Sequence, residues 1–505
     1  ASVLGLKEDA QPISTQEKVA QLAAISPSLI PHLDQAQEKM TLTLNELAQI
    51  HPEIYPQSLG GFQIKDNLNA LQTAIPQIQS GLSDIKPFLL EIPSLLGVDI
   101  PKTYLVLFQN DKELRPTGGF ITAYALAKLD RGYFSIIFSD DIYNLDPKQS
   151  YLPAPAPIIR HLKQKGWWMR DTNFSPDFKQ SMQDFKYYYQ HTASPPVAGI
   201  FALDTQFVES FLELSGPITV PGYNVDPVGY WNLPQSCLTG GNAFTSENVV
   251  CRLELYAEKV FKSSKDRKAI LGDLMAELVE WALNAPSNKW PELLSLATSQ
   301  LQEKHLLVYF HNKVIQDLAE KYNWAGRIAG ETGSDYLHIN QANLAGLKSD
   351  MYMKRKVKQE ISVNSETGEV ITKLTLTYRN TGAYDGWLNS TARNYIRVYV
   401  PKGSQLISAS GGEYPQPNVF EDLNKTVFDN FILTRPLSET TLTFEYKLPF
   451  YFKPGKNSET NEYRLLIQKQ PGLNAPEYEI LLGGEIQKFK LTTDEEITFN
   501  LKRPH

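Results

Sequence analysis

Three patterns of apolar and polar positions follow one another along the chain. Between residues 14 and 97 apolar side chains recur at helical spacing. Val19, Leu22, Ala23 and Ile25 form one stripe behind Ser14 and Thr15, which are suited to cap a helix, and Pro27 and Pro31 interrupt it. Leu33, Ala36, Met40, Leu44 and Leu47 form a second stripe; Leu68, Leu71, Ile75, Ile78, Leu82 and Ile85 form a third. The polar faces carry few lysines or arginines, which favours a packed helical layer over a helix lying on a membrane.

From Pro101 the pattern is mixed. The continuous apolar run Tyr104 to Phe108 predicts a strand covered on both faces. Phe120 to Leu129 and Tyr133 to Phe138 flank Asp130-Arg131-Gly132, a hairpin signal. Gly199 to Leu203 predicts another buried strand. Asp204 then caps a helix that Gly216 ends, and Ile218 to Val220 resumes as strand. Helices are predicted over 246–261 and 264–284, the second opened by Ser263 and Asp266 at capping-box spacing, and a short strand over His305 to Phe310. Alternating strands and helices make a layered α/β domain. Beyond it come short strand-like runs: Val357 to Val363, Val370 to Tyr378, Tyr395 to Val400, Leu406 to Ala409, Val427 to Leu433, Thr440 to Tyr446 and Tyr463 to Ile467. That spacing predicts a β-sandwich. The fold class is therefore α+β multidomain: a helical, membrane-proximal region at 1–97, a central layered α/β domain at 98–345, and an all-β, sandwich-like domain at 346–505.

Composition changes this picture little. A length of 505 residues suits roughly three domains, and 42% hydrophobic with 21% charged residues supplies several cores. The net charge of -7 and pI near 5.8 speak against nucleic acid as a partner, which calls for a basic face. No apolar run is long enough to span a membrane, and no signal peptide is visible. The chain opens at Ala1, as a processed or trimmed product does, so membrane attachment is expected only through an N-terminal anchor absent from this chain. The two cysteines, Cys237 and Cys251, bracket a turn-rich segment and lack CxxC spacing or nearby histidine. A disulfide between them would contribute roughly 3 kcal/mol and implies an oxidising, extracytoplasmic setting; free thiols are the other reading.

The candidate chemistry lies between Tyr104 and Asp146. If Asp130 to Gly132 is the turn of a hairpin, Phe120 lies opposite Asp141 or Ile142, and the polar loop Gln109 to Gly119 meets the acidic pair at one sheet edge. Arg115 offers a planar fork for phosphate or carboxylate, with Glu113 beside it. Gly118 and Gly119 let a ligand approach the backbone, and Asp140 and Asp141 could hold Mg2+ against a phosphate. The structural reading is that Arg115 pairs with Glu113 or Asp140 and the glycines only turn the chain. Asp266-Arg267-Lys268 could deliver a second cation or be a solvated charge cluster. The segment from Asp171 to Asp177, after Trp167 and Trp168, could form a polar loop with an aromatic wall for sugars, or the tryptophans could fill a core. No HExxH, GxSxG or P-loop pattern occurs.

The run from Gln109 to Ile121, QNDKELRPTGGFI, resembles the domain of unknown function 4012 family of bacterial, membrane-anchored envelope proteins, and Asn394 to Gly403, NYIRVYVPKG, extends the likeness. The order of elements has a remoter resemblance to the LytR-CpsA-Psr phosphotransferases, which move glycopolymers from polyprenyl pyrophosphate carriers onto the cell wall. Arg115, Asp141, the turn Leu214 to Ile218 and Arg267-Lys268 occupy places similar to that family's arginine loop, Arg-Asp strand end, Gly-Gly-Val turn and late Arg-Gln. The sequence departs from it twice: Asp140 stands where that family has arginine, and Ser215-Gly216-Pro217 replaces the paired glycines. The resemblance implies an extracytoplasmic, cell-surface protein that binds a lipid-linked glycan or cell-wall polymer with Mg2+. Arg115, Asp141 and Arg267 would then be catalytic, Glu113, Gly118 and Gly119 would bind substrate, and Asp140 and Asp141 would hold the metal. The alternative is a non-catalytic surface scaffold or adhesin with a degenerate site.

Overall fold

The computed structural model describes residues 15–146, 150–224, 233–260, 268–330, 333–452 and 462–501. The N-terminal helices are α1 (Thr15–Ile25), α2 (Ile30–Leu47) and α3 (Ile64–Leu95). Pro27 and Pro31 each fall in the first turn of a new helical segment, where proline is tolerated. A minimal hairpin, β1 (Ser58–Leu59) and β2 (Phe62–Gln63), links α2 to α3.

The central sheet is built from β3 (Lys102–Arg115), β4 (Gly118–Asp130), β5 (Tyr133–Asp141), β6 (Gly199–Asp204) and β7 (Leu306–Phe310), in the order β5-β4-β3-β6-β7. Only β3 and β6 run parallel. Around it lie α4 (Ile142–Leu145), α5 (Ala156–Leu162), α6 (Phe178–Tyr189), α7 (Thr205–Ser215), α8 (Val249–Leu255), α9 (Ala269–Asn284), α10 (Trp290–Gln302) and α11 (Lys313–Lys321). The apolar run of β3 is buried on both faces, as its pattern predicts. Leu105 and Leu107 pack with Phe178, Met182 and Phe185 of α6, while Phe108 packs with Phe211, Leu253 and Leu274 of α7 to α9. Asp204 caps α7 by accepting from the Phe207 amide at 3.1 Å, and Gly216 follows its last turn at a φ of 78°.

Two six-stranded sheets form the C-terminal sandwich. Their strands are β8 (Asp335–Asn343), β9 (Met353–Val363), β10 (Glu369–Asn380), β11 (Ala392–Pro401), β12 (Gln405–Ser410), β13 (Val419–Asp422), β14 (Lys425–Thr434), β15 (Glu439–Tyr451), β16 (Glu462–Gln468), β17 (Glu477–Leu482), β18 (Glu485–Lys490) and β19 (Glu495–Asn500). One sheet has the order β12-β15-β10-β9-β17-β18, the other β13-β14-β11-β8-β16-β19. Leu337, Val357, Leu374, Val398, Phe428 and Phe444 are among the residues of the shared core.

Four sequence expectations need correction. Gln109 to Gly119 is not a loop: β3 continues to Arg115 and turns through Pro116 and Thr117, with a register shift between Asn110 and Leu114. The hairpin register also differs, because the turn pairs Asp130 with Tyr133 and an irregularity between Leu126 and Ala127 advances the pairing by one more position; Ala123, not Phe120, faces Asp141. Ile218 to Val220 makes only an isolated bridge, Ile218 with Phe244. The boundary at 345 is too late, since β8 belongs to the sandwich, between β11 and β16. Its buried His338, Asn340, Gln341 and Asn343 hide it from an apolar-pattern search. The capping pair Ser263 and Asp266 lies outside the described residues.

The tip of the β3–β4 hairpin is clasped by the sandwich. Gln470 donates to the Arg115 carbonyl at 3.0 Å, Asn340 donates to the Pro116 carbonyl at 3.2 Å, and Asp350 accepts from the Leu114 amide at 3.0 Å. Behind the tip, Asn173 donates to the Gly119 carbonyl at 2.8 Å and to Gln109 Oε1 at 2.9 Å. A Cβ on Gly119 would lie 2.1 Å from the Asn110 carbonyl carbon, and one on Gly472 2.3 Å from the Gly118 oxygen. Gly119→Ala therefore forces the strand pair apart and is expected to cost about 3 kcal/mol. Urea unfolding of the two proteins checks this, and a change below about 0.5 kcal/mol would show that the pair yields freely.

Candidate functional site

A cavity of about 320 Å3 opens beside this clasp, where the central sheet meets the loop after β8. β3 presents Asn110, Glu113 and Arg115; β4 presents Phe120 and Thr122; the 3-10 turn Met169–Asp171 presents Arg170 and Asp171. The far wall is Val250, Leu253 and Glu254 of α8, Ala257 and Glu258 of the π-helical turn Tyr256–Val260 that continues it, and Lys268 and Leu271 at the start of α9. Such π turns recur at functional sites because they displace the side chains that follow. The sandwich closes the cavity with Asn343 and residues 345–348.

That closing loop is strained. Ala345 and Leu347 take left-handed φ values of 71° and 55°, which together cost on the order of 2–6 kcal/mol. Asn343 holds it, accepting from the Gly346 amide at 2.7 Å and donating to the Leu347 carbonyl at 3.1 Å. The loop delivers Lys348, whose amine lies 3.0 Å from Glu113, 3.5 Å from Glu254 and hydrogen-bonds Glu258. Burial opposes the Lys348 charge, but Glu254, Glu113 and Glu258 outweigh it and push its pKa up. Burial drives Glu254 the other way, up to about 7, although Lys348 pulls against it. Its Oε1 accepts from Asn110 at 2.8 Å.

On the opposite wall the Arg115 guanidinium donates to the Asn343 carbonyl and lies 3.8 Å from Asp171 and 5.2 Å from the Phe120 ring centroid. Arg170 pairs with Asp146 and lies 3.9 Å from Asp171. Burial raises the Asp171 pKa, opposed by Arg115 and Arg170. Lys268 donates to the Thr122 carbonyl at 2.8 Å and lies 3.3 Å from Asp141. Four cations and four carboxylates thus share one cavity with Phe120, Leu162, Val250, Leu253 and Leu271.

Of the residues singled out in the sequence, Arg115, Glu113, Asp171 and Lys268 line the cavity. Asp141 does not; it caps α4 by accepting from the Tyr143 amide at 3.1 Å and touches the site through Lys268. Asp140 accepts from the Asp141 amide and from Asn144, each at 2.7 Å. Gly118 and Gly119 are spent on the close approach of β3 and Gly472, and neither lines the cavity. Arg267 lies outside the described residues. Among the described residues no group of three or more His, Cys, Asp or Glu side chains could hold a metal ion. Sequence reasoning missed Arg170, Glu254, Glu258 and Lys348. Arg170 follows the singled-out Trp167-Trp168, and Glu254 and Glu258 share a helix face at i, i+4 spacing, but Lys348 carries no local signal. Cys237 and Cys251 form a disulfide, with Cα atoms 5.3 Å apart.

Among known families, residues 99–244 match the one described as Protein of unknown function (DUF4012). No curated protein matches the chain. Part of the chain is similar to the crystal structure of protein gbs0355 from Streptococcus agalactiae (12% identity, TM-score 0.30, 48% of this chain and 79% of that one). It is also similar to the Lin1025 protein from Listeria innocua (11% identity, TM-score 0.27, 47% of this chain and 85% of that one).

Glu254 makes folding pH-dependent in a defined sense. With its folded pKa near 7 and an unfolded value near 4.3, its share of stability is fully present below the unfolded value and is lost as pH rises through 7. Glu254→Gln removes that share, so the fall in denaturation free energy between about pH 5 and 8 should be smaller in the variant than in wild type. Equal slopes would show that Glu254 does not titrate in this window.

Proposed function

On the match of residues 99–244 to the DUF4012 family, we propose that this is an extracytoplasmic cell-envelope protein whose cavity binds a polyprenyl-pyrophosphate-linked glycan and transfers the glycan with its phosphate to a hydroxyl of an envelope acceptor, breaking the P–O–P bond so that polyprenyl monophosphate leaves. The observation that carries the reading is the convergence of Arg115, Arg170 and Lys268 on one partly apolar cavity. Guanidinium forks and a buried amine suit adjacent phosphates, and Phe120, Val250, Leu253 and Leu271 offer a surface to the first isoprene units. In phosphoryl transfer the protein's task is mostly to position groups and stabilise charge on the transferred and leaving oxygens. Here the chain's own cations take that role. Asp141 is already turned to Lys268 and an amide, so the proposal routes no step through Mg2+. The disulfide accords with an oxidising compartment, and an anchor upstream of this chain would tether the protein.

One observation favours the second reading, a non-catalytic envelope scaffold or adhesin. Arg115 is already engaged by the Asn343 and Leu114 carbonyls, and carboxylates match the cations in number. Binding of geranylgeranyl pyrophosphate, measured calorimetrically with and without Mg2+, separates the two. Arg170→Gln and Lys268→Gln should each weaken binding about 10-fold or more, the worth of one charge-assisted hydrogen bond. No binding by wild type, or equal binding by all three proteins, retires the transferase reading in favour of the scaffold.

A further inference from the structure

The helical hairpin of α2 and α3 leaves an apolar ridge uncovered. Leu71, Ile78, Ile85 and Phe88 of α3 are 46%, 51%, 42% and 42% exposed. They recur with Ala74 and Gly81 at alternating steps of three and four residues, the a and d positions of a heptad: Leu71, Ile78 and Ile85 at a, Ala74, Gly81 and Phe88 at d. The neighbouring face, with Leu68, Gln72, Ile75 and Leu82, is less exposed, and there Gln72 donates to the Leu47 and Ile50 carbonyls at the end of α2. The exposed ridge is therefore a second face of α3, turned about 110° from the first at 100° per residue. A 3.5-residue apolar repeat is the period that keeps a seam in register with another helix, and contiguous exposed apolar surface of this kind marks an interface.

We propose that this ridge is the self-association surface of the protein: α3 of one copy packs antiparallel on α3 of a second copy, and the two α2–α3 hairpins close into a four-helix bundle. The ridge is self-complementary in that direction. Antiparallel coiled coils face a positions with d positions, so with Ile78 over Gly81 the layers become Leu71 with Phe88, Ala74 with Ile85 and Ile78 with Gly81, then the same by symmetry. Each large side chain in the middle meets a small one, and the space beside Gly81 is open, with no atom within 4 Å of a Cβ placed there. The same register puts the exposed hairpin tip, with Ile54 and Phe62 at 75% and 74% exposure, level with the stretch of the second copy that ends in the exposed Ile100. The ridge runs ~27 Å along the helix, and the tips lengthen the contact beyond it.

The test is the mass of the whole chain in solution, by sedimentation or by light scattering after gel filtration. Wild type should rise with concentration toward twice 57.0 kDa, and Ile78→Asp with Ile85→Asp should hold the mass at 57.0 kDa with an unchanged circular dichroism spectrum. A wild type that stays monomeric at ~100 μM, far above the Kd of a specific dimer, overturns the proposal, as does a double variant that still dimerises. Direction is read by cross-linking. The native cysteines pair with each other, so Ile78→Cys chains mixed with Gly81→Cys chains should form the mixed disulfide in preference to either like pair. Dominant Ile78→Cys self-pairs would overturn the antiparallel register.

Discussion

The burial of the β3–β4 tip between two domains is the constraint on which the rest of the molecule depends. A turn buried there exposes backbone carbonyls and amides that water can no longer reach, each costing on the order of 1–3 kcal/mol if left unpaired. The sandwich satisfies them with Gln470, Asn340 and Asp350, and the tip returns Arg115 to the Asn343 carbonyl. These bonds fix the distance between the central sheet and the loop after β8, and so they fix the cavity. Without the clasp, Lys348 and Arg115 would not face the same space.

The joint is polar elsewhere too. Lys304, after α10, meets Asp494 at 2.6 Å, and Asp494 also accepts from the Lys469 amide and from Asn323. Nearby, His305 lies 2.7 Å from Asp204, burial holding the imidazole well below its ordinary pKa and the carboxyl well above. An interface of this kind specifies one relative position of its domains, because any slip strands several buried groups at once. The cavity inherits that rigidity. An incoming anion must compete with Glu113, Asp171, Glu254 and Glu258 for the cations, so protonation of Glu254 near neutral pH would ease entry.

Most of the architecture was legible in the sequence because simple periodicities govern it. The helices of the N-terminal region, β3 to β7 and the paired β9 and β10 follow from apolar spacing and turn chemistry. β8 was not legible: its buried faces carry amides and a histidine rather than apolar side chains, and some of their partners, such as Gln468 and Gln470, lie more than a hundred positions away. The site was legible by half. Arg115 and Glu113 stand out beside a proline and two glycines, Lys268 follows Asp266-Arg267, and Arg170 and Asp171 follow two tryptophans, but Glu254 and Lys348 reach the cavity from segments with no chemical signature of their own. The glycines misled because a backbone approached closely by its own chain looks the same in sequence as one approached by a ligand.

The register shift between Asn110 and Leu114 explains how one segment serves both clasp and cavity. In an unbroken strand side chains alternate, so Arg115 would share a face with Glu113 and Asp111 and not with Asn110. The bulged segment instead turns Asn110, Glu113 and Arg115 to the cavity. Asp111, Lys112 and Leu114 line a separate recess with Asp350, Arg355 and Gly472 at the sandwich. Lys112 is held on that side by Asp111 at 2.9 Å and Glu209 at 3.3 Å, which anchors the bulge to α7. Shortening the segment by one residue would exchange the two faces and send Arg115 away from Phe120 and Asp171. The spacing between Asn110 and Arg115, more than the identity of any one side chain there, is what lets a structural hairpin carry a binding site on its flank.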